Sequence, residues 1–514
     1  QQRQWINENL LTYNLNIQES HEFNLLLGHS FQYNGNRYAT AKGENFISNN
    51  VQEMDGANAS SAKGYSEEAK LRSFFGRINY AYQNRYLLEV NLRRDESSRI
   101  PKKNRAGYFP SVSAGWNIAQ ESFMLDQENI NMLKLRASWG KLGNQDIGYY
   151  PYLSTYTTAK NNYIWGTGKV LGAAKVSADN PDIKWETTTT TNIGLDASFL
   201  KSKINLTLDY FNKVSSDILL QLPVSSIVGV EEAPFVNAAE VKNRGWDMSL
   251  GYNDKWNDFS FGATFNLSYV KNEITNVNGR DNWINGWTIN LAGHPIGSYY
   301  GYVANGLYTP QQIAAITDEE GNIPSVAIGK PRPGDVEYLN VDGSEDGKLT
   351  DADRAIIGNP FPKVTYSLNL TGAYKNFDLT MFFQGVGNVD RIVMDRPYVE
   401  GGVTQKMWGR YHEVNNPGGT YPALGNVGYN ELPSSYWIED ASYLRMKNLE
   451  LGYTFPKTLL NKIKIQGLRV FVSAQNLFTI TDVKNYDPEK YSTDSRNWTY
   501  PNAKTYSIGL NFSL

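Results

Sequence analysis

The chain has 514 residues, and its 49 Lys and Arg nearly balance its 52 Asp and Glu, giving a formal net charge of −3. A pI near 6.0 argues against a nucleic-acid-binding surface, because such a surface needs a basic patch. The mean hydropathy of −0.49 and the lack of any apolar run of about 18 residues exclude a helical membrane protein, although not membrane strands, whose two faces average out as polar.

Apolar residues at every second position predict β-hairpins from one end of the chain to the other. In chain order the predicted partners are 11–17 with 23–31, 74–82 with 86–92, 112–118 with 133–139, 193–199 with 204–210, 246–252 with 259–267, 364–370 with 377–383 and 449–455 with 468–474. A last strand, 505–514, carries Tyr506, Ile508, Leu510, Phe512 and Leu514 on one apolar face. The pattern therefore predicts about fifteen strands.

Short and long connections alternate along the predicted strands. The connections inside each pair are tight or moderate, and those between pairs are long: 34–70, 143–184, 214–242, 272–361, 388–440 and 479–502. Outer-membrane barrels have short periplasmic turns and long extracellular loops. The fold class is therefore predicted to be all-β, a transmembrane antiparallel β-barrel.

The face opposite the apolar one is polar and is expected to line a wet lumen. It carries Asn79, Glu89, Asn91, Arg93, Asn205, Asp209, Asp247, Asn266 and Asn369. One strand breaks the rule, because Arg445 and Lys447 share parity with Leu449 and Leu451. Either a β-bulge intervenes there or these two cations lie above the lipid.

Bacterial single-chain barrels have even strand numbers, whereas the predicted strands here are odd in number. We therefore expect residues 1–514 to be the C-terminal part of a larger barrel. The alternative is a strand missed within 272–361.

Several stretches resemble the SusC/RagA-type TonB-dependent outer-membrane transporters of Bacteroidota. The matching stretches are SFFGRINYAYQNRYLLEVNLRRD (73–95), GYFPSVSAGW (107–116), LKLRASWGKLGN (133–144), VKNRGWDMSLGY (241–252), GNPFPKV (358–364), ASYLRMKNLELGYTF (441–455), LRVFVSAQNLF (468–478) and NYDPE (485–489). The resemblance covers nearly the whole chain.

The resemblance implies a barrel of about 22 strands in the outer membrane, with an N-terminal plug domain. It also implies a SusD-like surface lipoprotein as a hinged lid, and import of oligosaccharides or oligopeptides energised through the TonB complex. No plug domain, TonB box or first strands are recognised in this sequence, so the TonB contact is expected through a missing N-terminal part. Partners would be the lipoprotein, TonB, the ligand and lipid, with no nucleic acid.

The segment 342–353 has the twelve-residue spacing of an EF-hand calcium loop. The predicted ligands are Asp342, Ser344, Asp346, the Lys348 carbonyl, Thr350 and Asp353. Asp at the last position is shorter than the usual bidentate Glu, so we expect weak affinity, roughly 10⁻⁴ to 10⁻³ M. Calcium would stiffen the long loop around it, and the alternative is a solvated acidic turn.

Aromatic residues concentrate in the long connections and suit sugar faces, peptide side chains or a protein lid. Predicted substrate contacts are Trp283, Trp287, Tyr299, Tyr300, Trp408, Trp437 and Trp498. The alternative is that these rings pack the loops on one another.

An enzyme is not expected, because the four histidines are scattered, cysteine is absent and no nucleophile or metalloprotease motif is found. The competing function is a non-transporting surface protein, a β-rich glycan-binding adhesin.

Overall fold

The structure, a computed structural model, describes residues 1–513 except 58, 158–161, 176, 223–224, 226, 228, 231, 278–281, 322, 324–328, 345–348, 395–404, 462–464, 484–485 and 490–499. Trp498, Asp346, Lys348 and Leu514, which the sequence predictions name, lie outside the described residues.

One large antiparallel sheet dominates the described residues. Its strands are β1 Gln2–Ile17, β2 His21–Glu44, β3 Ala59–Tyr82, β4 Tyr86–Ser97, β5 Ala106–Asn117, β6 Ile130–Asn144, β7 Glu186–Phe199, β8 Ile204–Gln221, β9 Phe235–Trp256, β10 Phe259–Asn276, β11 Val364–Tyr374, β12 Phe377–Gly387, β13 Tyr443–Thr454, β14 Gly467–Gln475 and β15 Thr505–Ser513. They neighbour one another in chain order, and the short strand Thr479–Thr481 also pairs with β13. The fifteen predicted strands are confirmed.

The predicted hairpin partners are confirmed, because each predicted pair is adjacent in the sheet. Ala114 faces Ala137 across β5 and β6, and Leu370 faces Met381 across β11 and β12. The tight turns at 83–85, 200–203 and 375–376 lie where the period-2 pattern stops. Their left-handed residues, among them Asn84 and Lys375, supply the positive φ angles that tight hairpin turns need.

Many large apolar side chains on the predicted lipid face are exposed, as expected for residues that only lipid would cover, whereas the small Ala197 and Ala474 are buried. Members of this face include Leu11, Tyr13, Ile78, Leu88, Val90, Leu92, Leu135, Trp139, Ile193, Trp246, Leu250, Leu451, Val472, Tyr506, Ile508, Leu510 and Phe512.

Two predicted connections are wrong in length. Strands β2 and β3 continue through the stretch predicted as a connection at 34–70, so the real connection is only 45–58. Likewise β8 and β9 shorten the predicted 214–242 connection to 222–234. In the outer part of β2 and β3, residues 37–42 and 61–66 are exposed on both sides, so the apolar alternation that marks a half-buried strand is missing there.

The irregularity at Arg445 and Lys447 is a β-bulge. Phe382 of β12 pairs with Asn448, and Phe383 pairs with Met446, so Lys447 is the extra residue. A bulge moves the residues before it to the opposite face relative to those after it. Of the two sequence interpretations, the bulge is therefore the one that the structure has.

The chain divides into two compact units. Unit 1 comprises Gln1–Gln127, Met132–Leu195 and Phe211–Lys242, and unit 2 comprises Glu128–Asn131, Asp196–Tyr210 and Asn243–Leu514. In unit 1 the connections 45–58, 98–105, 145–185 and 222–234 leave one end of the strands, and in unit 2 the connections 277–363, 388–442 and 476–504 do so.

The long connections contain short elements. The short strands are Tyr156–Thr157, Asn162–Trp165, Gly168–Leu171, Ala174–Lys175, Asn282–Asn285, Thr288–Leu291, Ser298–Tyr302, Ala304–Leu307, Val336–Tyr338, Arg354–Gly358, Asp390–Ile392 and Ile438–Asp440, and the α-helices are Pro310–Ile316 and Val427–Asn430. A further helix, Lys457–Leu460, lies in the connection between β13 and β14. The described strands within 272–361 pair in small separate sheets, which speaks against a missed strand of the main sheet. No helix among the described residues is long and apolar enough to cross a membrane.

Candidate binding site

Two long connections of unit 2 fold together into one body, which we call the cap: loop A, 277–363, and loop B, 388–442. The backbone N–H of Tyr302 in loop A donates to the Pro433 carbonyl of loop B at 2.8 Å. Gly301 lies so close that a Cβ there would be 2.2 Å from the same carbonyl oxygen. Only glycine permits this approach of two backbones.

A buried carboxylate joins the two loops of the cap. Asp335 in loop A has 0% exposed surface, and its oxygens accept hydrogen bonds from the side-chain amides of Asn430 at 2.8 Å and Asn426 at 2.6 Å. The backbone N–H of Arg332 donates a third at 2.8 Å. A buried carboxylate is stable only with such partners, so Asp335 fixes loop A on the helix Val427–Asn430.

A tyrosine-rich cluster covers this polar junction. Its buried members are Tyr302, Val336, Tyr338, Leu349, Tyr429 and Leu432. The Tyr338 hydroxyl donates to the Tyr429 carbonyl at 2.8 Å. Burial raises the pKa of the Tyr338 phenol well above its ordinary value, so this hydroxyl stays protonated and acts as a hydrogen-bond donor.

A second cluster in the cap contains several of the aromatics predicted to contact substrate. Its buried members are Tyr299, Ile392, Met394, Met407, Tyr421 and Trp437, with Trp287 packed against them. The Trp437 indole N–H donates to the Asn430 carbonyl at 2.8 Å. Tyr299 and Trp437 are only 3% and 5% exposed, so a ligand would reach them only if the cap opened.

The other predicted aromatics differ in exposure. Tyr300 is half-buried beneath the Arg354 guanidinium, 4.7 Å from the ring centroid. Trp283 is half-buried in the strand Asn282–Asn285. Trp408 is 81% exposed in the 3₁₀-helix Gln405–Gly409. The structure thus separates rings that pack the cap from one ring that is available on its surface, and ligand contact by these residues stays a prediction.

An ion-pair cluster attaches the connection 476–504, which we call loop C, to the start of β13. Arg445, only 4% exposed at its side chain, binds Asp487 at 2.6 Å and Glu489 at 2.5 Å, and Lys447 also pairs with Glu489. Burial alone would raise the pKa of Asp487, but the hydrogen bonds from Arg445 and from two backbone N–H groups hold that pKa below its usual value. The bulge at Lys447 therefore aims two cations at the acidic pair of loop C.

The predicted calcium loop is described only in part. The Asp353 carboxylate is fully buried and accepts hydrogen bonds from the backbone N–H groups of Val341, Asp342 and Thr350 at 2.9, 3.2 and 2.7 Å. Burial would raise the pKa of Asp353, but these hydrogen bonds outweigh it and keep the pKa low. The first and last predicted ligand positions are thus joined.

Over the described part of the chain, no group of three or more His, Asp or Glu side chains is arranged to hold a metal ion. Asp346 and Lys348 fall outside that part. The calcium prediction therefore stays a prediction.

The polar faces of both units form open grooves. In unit 1 a groove of about 680 Å³ is lined by Asn79 and Glu89, both predicted for the lumen, together with Lys134 and Arg136. In unit 2 a groove of about 460 Å³ includes Asp209, Asp247 and Asn266. These polar side chains lie on the face that the strand alternation predicted.

Sequence reasoning missed the residues that organise the cap. Asp335, Asn426 and Asn430 were not singled out, because Asp335 is separated from its amide partners by more than 90 positions. The available local signal was the stretch Pro331 to Asp335, a turn-rich run ending in an acid before the apolar strand Val336–Tyr338. That signal marks a turn and carries no information about the partner.

Residues 1–477 match the family described as TonB dependent receptor-like, beta-barrel. TonB-dependent receptor P3 of Formosa agariphila is 33% identical to the chain, with the alignment covering 99% of this chain and 52% of that protein. TonB-dependent receptor SusC of Bacteroides thetaiotaomicron is 30% identical, covering 98% of this chain and 50% of that protein. The chain thus spans about half the length of the curated relatives it matches.

Among solved structures, that of the RagAB peptide transporter superposes with a TM-score of 0.84 at 26% identity, covering 100% of this chain and 55% of that chain. The RagAB peptide importer in its 'closed-closed' state gives 0.81, also at 26% identity, and covers 100% of this chain and 56% of that chain.

Proposed function

The chain belongs to the TonB-dependent receptor-like β-barrel family, and from this membership we propose that it takes part in TonB-dependent import of oligosaccharides or oligopeptides across the outer membrane. It is an outer-membrane protein of the SusC/RagA type. We propose in addition that a SusD-like surface lipoprotein is its partner.

The cap is the observation that carries this proposal. Loops A and B bury a common core and share the Asp335 junction, although free loops of this length would pay a large conformational entropy cost to become ordered. Such a packed platform at the long-connection end suits both a docking lipoprotein and a ligand enclosed beneath it. The membrane-spanning strands of a barrel do not require such a cap.

Copurification tests the partner. The natural polypeptide that contains this chain should be extracted from native outer membranes in mild detergent, and the complex identified by intact mass. We expect a surface lipoprotein in equimolar amount. Recovery of the polypeptide without any lipoprotein, under conditions that preserve heat-modifiable migration of the barrel, contradicts the proposed partnership.

Ligand contact is tested by a matched pair of tryptophan substitutions in loop B. Trp408→Ala removes an exposed ring and should lower uptake without lowering outer-membrane abundance. Trp437→Ala removes a buried ring, which typically costs about 3–5 kcal/mol, and should lower abundance or protease resistance as well. Unchanged uptake in Trp408→Ala would assign that ring no part in the transport cycle.

We also propose calcium binding by the 342–353 loop. The support is the ligand spacing of the loop. The Asp353 oxygens accept four hydrogen bonds from Val341, Asp342 and Thr350, so calcium coordination there would replace some of these donors. Calcium should protect this loop from protease, and chelation should expose it, with half-protection near the roughly 10⁻⁴ to 10⁻³ M range of weak extracellular sites. Asp342→Asn should abolish the protection, whereas identical cleavage with and without calcium contradicts the site.

The alternative function is a surface adhesin that binds glycans without importing them. The exposed Trp408 is equally suited to that role. The two functions differ in what becomes of the ligand: an adhesin retains it at the surface, where externally added glycosidase or protease can still destroy it. Hydrolysis of a glycan by the purified protein would contradict both and indicate an enzyme.

A further inference from the structure

Basic residues form a row on the outward face of unit 1, at the end of the strands where the long connections leave. Lys70 and Arg72 lie on β3, and Arg94 lies on β4. The register places Phe74 opposite Arg94 and Arg72 opposite Glu96. We call Lys70, Arg72 and Arg94 the rim cluster.

The rim cluster lies directly above the lipid-facing apolar side chains. On β4 the outward residues Leu88, Val90 and Leu92 are exposed, and Arg94 is the next outward residue. From Tyr86 to Arg94 is eight residues, about 27 Å along a strand and roughly 20 Å along the membrane normal at a tilt near 40°. The apolar band of a barrel is about 25 Å tall. Arg94 therefore lies where hydrocarbon gives way to headgroups on the extracellular side.

Each cation of the rim cluster rests on an aromatic ring that also faces outward. Lys70 lies 5.8 Å from the Tyr33 ring centroid, Arg72 lies 5.9 Å from that of Phe74, and Arg94 lies 5.9 Å from that of Tyr108. Aromatic rings and long cationic side chains together are typical of the interface between lipid and water. The charged heads thus lie at headgroup depth.

Glu96 holds the two arginines side by side. Arg72 Nε donates to Glu96 Oε2 at 3.0 Å, and Arg94 Nη2 donates to the other oxygen of the same carboxylate. Arg94 Nε also donates to the Tyr108 hydroxyl at 3.2 Å. Among the described residues neither arginine has a protein acceptor for its Nη1 group. A pair of fixed guanidinium groups with spare donors fits a phosphate, which accepts several such hydrogen bonds.

We propose that the rim cluster binds the phosphorylated headgroup of an outer-leaflet lipid, whose acyl chains lie along the apolar side chains below. This site is independent of the transported substrate, because it faces the lipid and not the polar groove. Lys70 pairs with Glu68 at 2.9 Å, and Arg72 and Arg94 share Glu96. These ion pairs alone leave three cations against two carboxylates at a depth where charge is costly, and an anionic headgroup offsets that excess.

The test uses the natural polypeptide containing this chain, extracted in detergent, delipidated and titrated with lipid A before native mass spectrometry. Phosphorylated lipid A should bind at least fivefold more tightly than the same lipid after enzymatic dephosphorylation. Because each basic residue near an anionic surface contributes a factor of about five, Arg72→Gln/Arg94→Gln should weaken that binding by between fivefold and roughly thirtyfold.

The matched control is Arg93→Gln, which lies on the same strand at the same height. Arg93 points to the opposite face, where it binds Asp95 and Ser73, so its loss should leave lipid binding unchanged. Heat-modifiable migration confirms that each variant is folded, and the comparison of phosphorylated with dephosphorylated lipid needs no variant. The proposal would be overturned if phosphorylated and dephosphorylated lipid A bound equally well, or if Arg93→Gln weakened lipid binding as much as Arg72→Gln/Arg94→Gln does. Complete displacement of the bound lipid A by excess inorganic phosphate would also overturn it.

Discussion

Replacement of Asp335 by alanine should open the cap while leaving the strands intact. The substitution removes one carboxylate that accepts three hydrogen bonds inside the cap. It leaves the buried side-chain amide of Asn430 without this acceptor, whereas the Asn426 amide keeps the Lys330 carbonyl at 3.1 Å. A buried donor that is left without an acceptor costs about 1–3 kcal/mol. At about 1.4 kcal/mol per factor of ten, a cost of about 2 kcal/mol raises the opened population of the cap roughly thirtyfold.

Limited proteolysis of intact outer-membrane vesicles measures this opening, because cleavage of a transiently opened segment follows its population when closing is fast. Cleavage within loops A and B should accelerate strongly in Asp335→Ala, whereas heat-modifiable migration should not change. The control is Asp351→Ala, which removes an exposed acid of loop A whose ion pair with Arg354 is long, at 3.8 Å. This change should alter the free energy of opening the cap by less than about 0.5 kcal/mol. Equal cleavage rates in the two variants would refute the assignment of Asp335 as the residue that joins the loops.

Three further substitutions test other contacts of unit 2. Asp487→Asn should weaken the attachment of loop C by about 1.5–3 kcal/mol, because Arg445 loses one charged acceptor and keeps Glu489. The Asp487 carboxylate stabilises the fold above its unfolded pKa and ceases to do so as pH falls through its lowered folded pKa, so hydrogen exchange of wild-type loop C should match the variant only at acidic pH. Gly301→Ala should separate the loops of the cap, since its Cβ would clash with a facing carbonyl, whereas Gly409→Ala, which meets nothing within 4 Å, should leave protease resistance unchanged. Asp390→Asn should stabilise loop B at neutral pH, because burial and a neighbouring carboxylate raise the pKa of Asp390. The charge on Asp390 therefore weakens the fold as pH rises through that pKa. If thermal denaturation showed Asp390→Asn to be more stable than wild type even below pH 4, this cause would be contradicted.

The main sheet could be predicted because its signal is local. Leu88, Val90 and Leu92 alternate with polar residues, and a hairpin turn follows wherever that alternation stops, so strand identity, face and partner come together. The outer parts of β2 and β3 lack the alternation because neither side of that ribbon is covered. Strand ends predicted from the alternation of apolar and polar residues therefore fall short of the real ends of β2 and β3.

The cap could be predicted only as a set of aromatic residues. Trp437 and Trp408 look alike in the sequence, since both are aromatic residues in a long connection. Trp437 is nevertheless buried and Trp408 exposed, because residues far away in the sequence decide which ring is packed. Asp335 illustrates the same limit, because nothing near it in sequence indicates that Asn430 will bind it. The parity conflict at Lys447 was informative, because a bulge was one of only two arrangements compatible with it.

The most direct test of the proposed import is the fate of labelled oligosaccharides and oligopeptides given to cells with and without this protein. Import predicts that label becomes inaccessible to externally added glycosidase or protease, and that deletion of the gene or an uncoupler of the proton-motive force abolishes this protection. Label that stays accessible at the surface, in an amount that depends on the protein but is insensitive to the uncoupler, would contradict import and establish the adhesin instead.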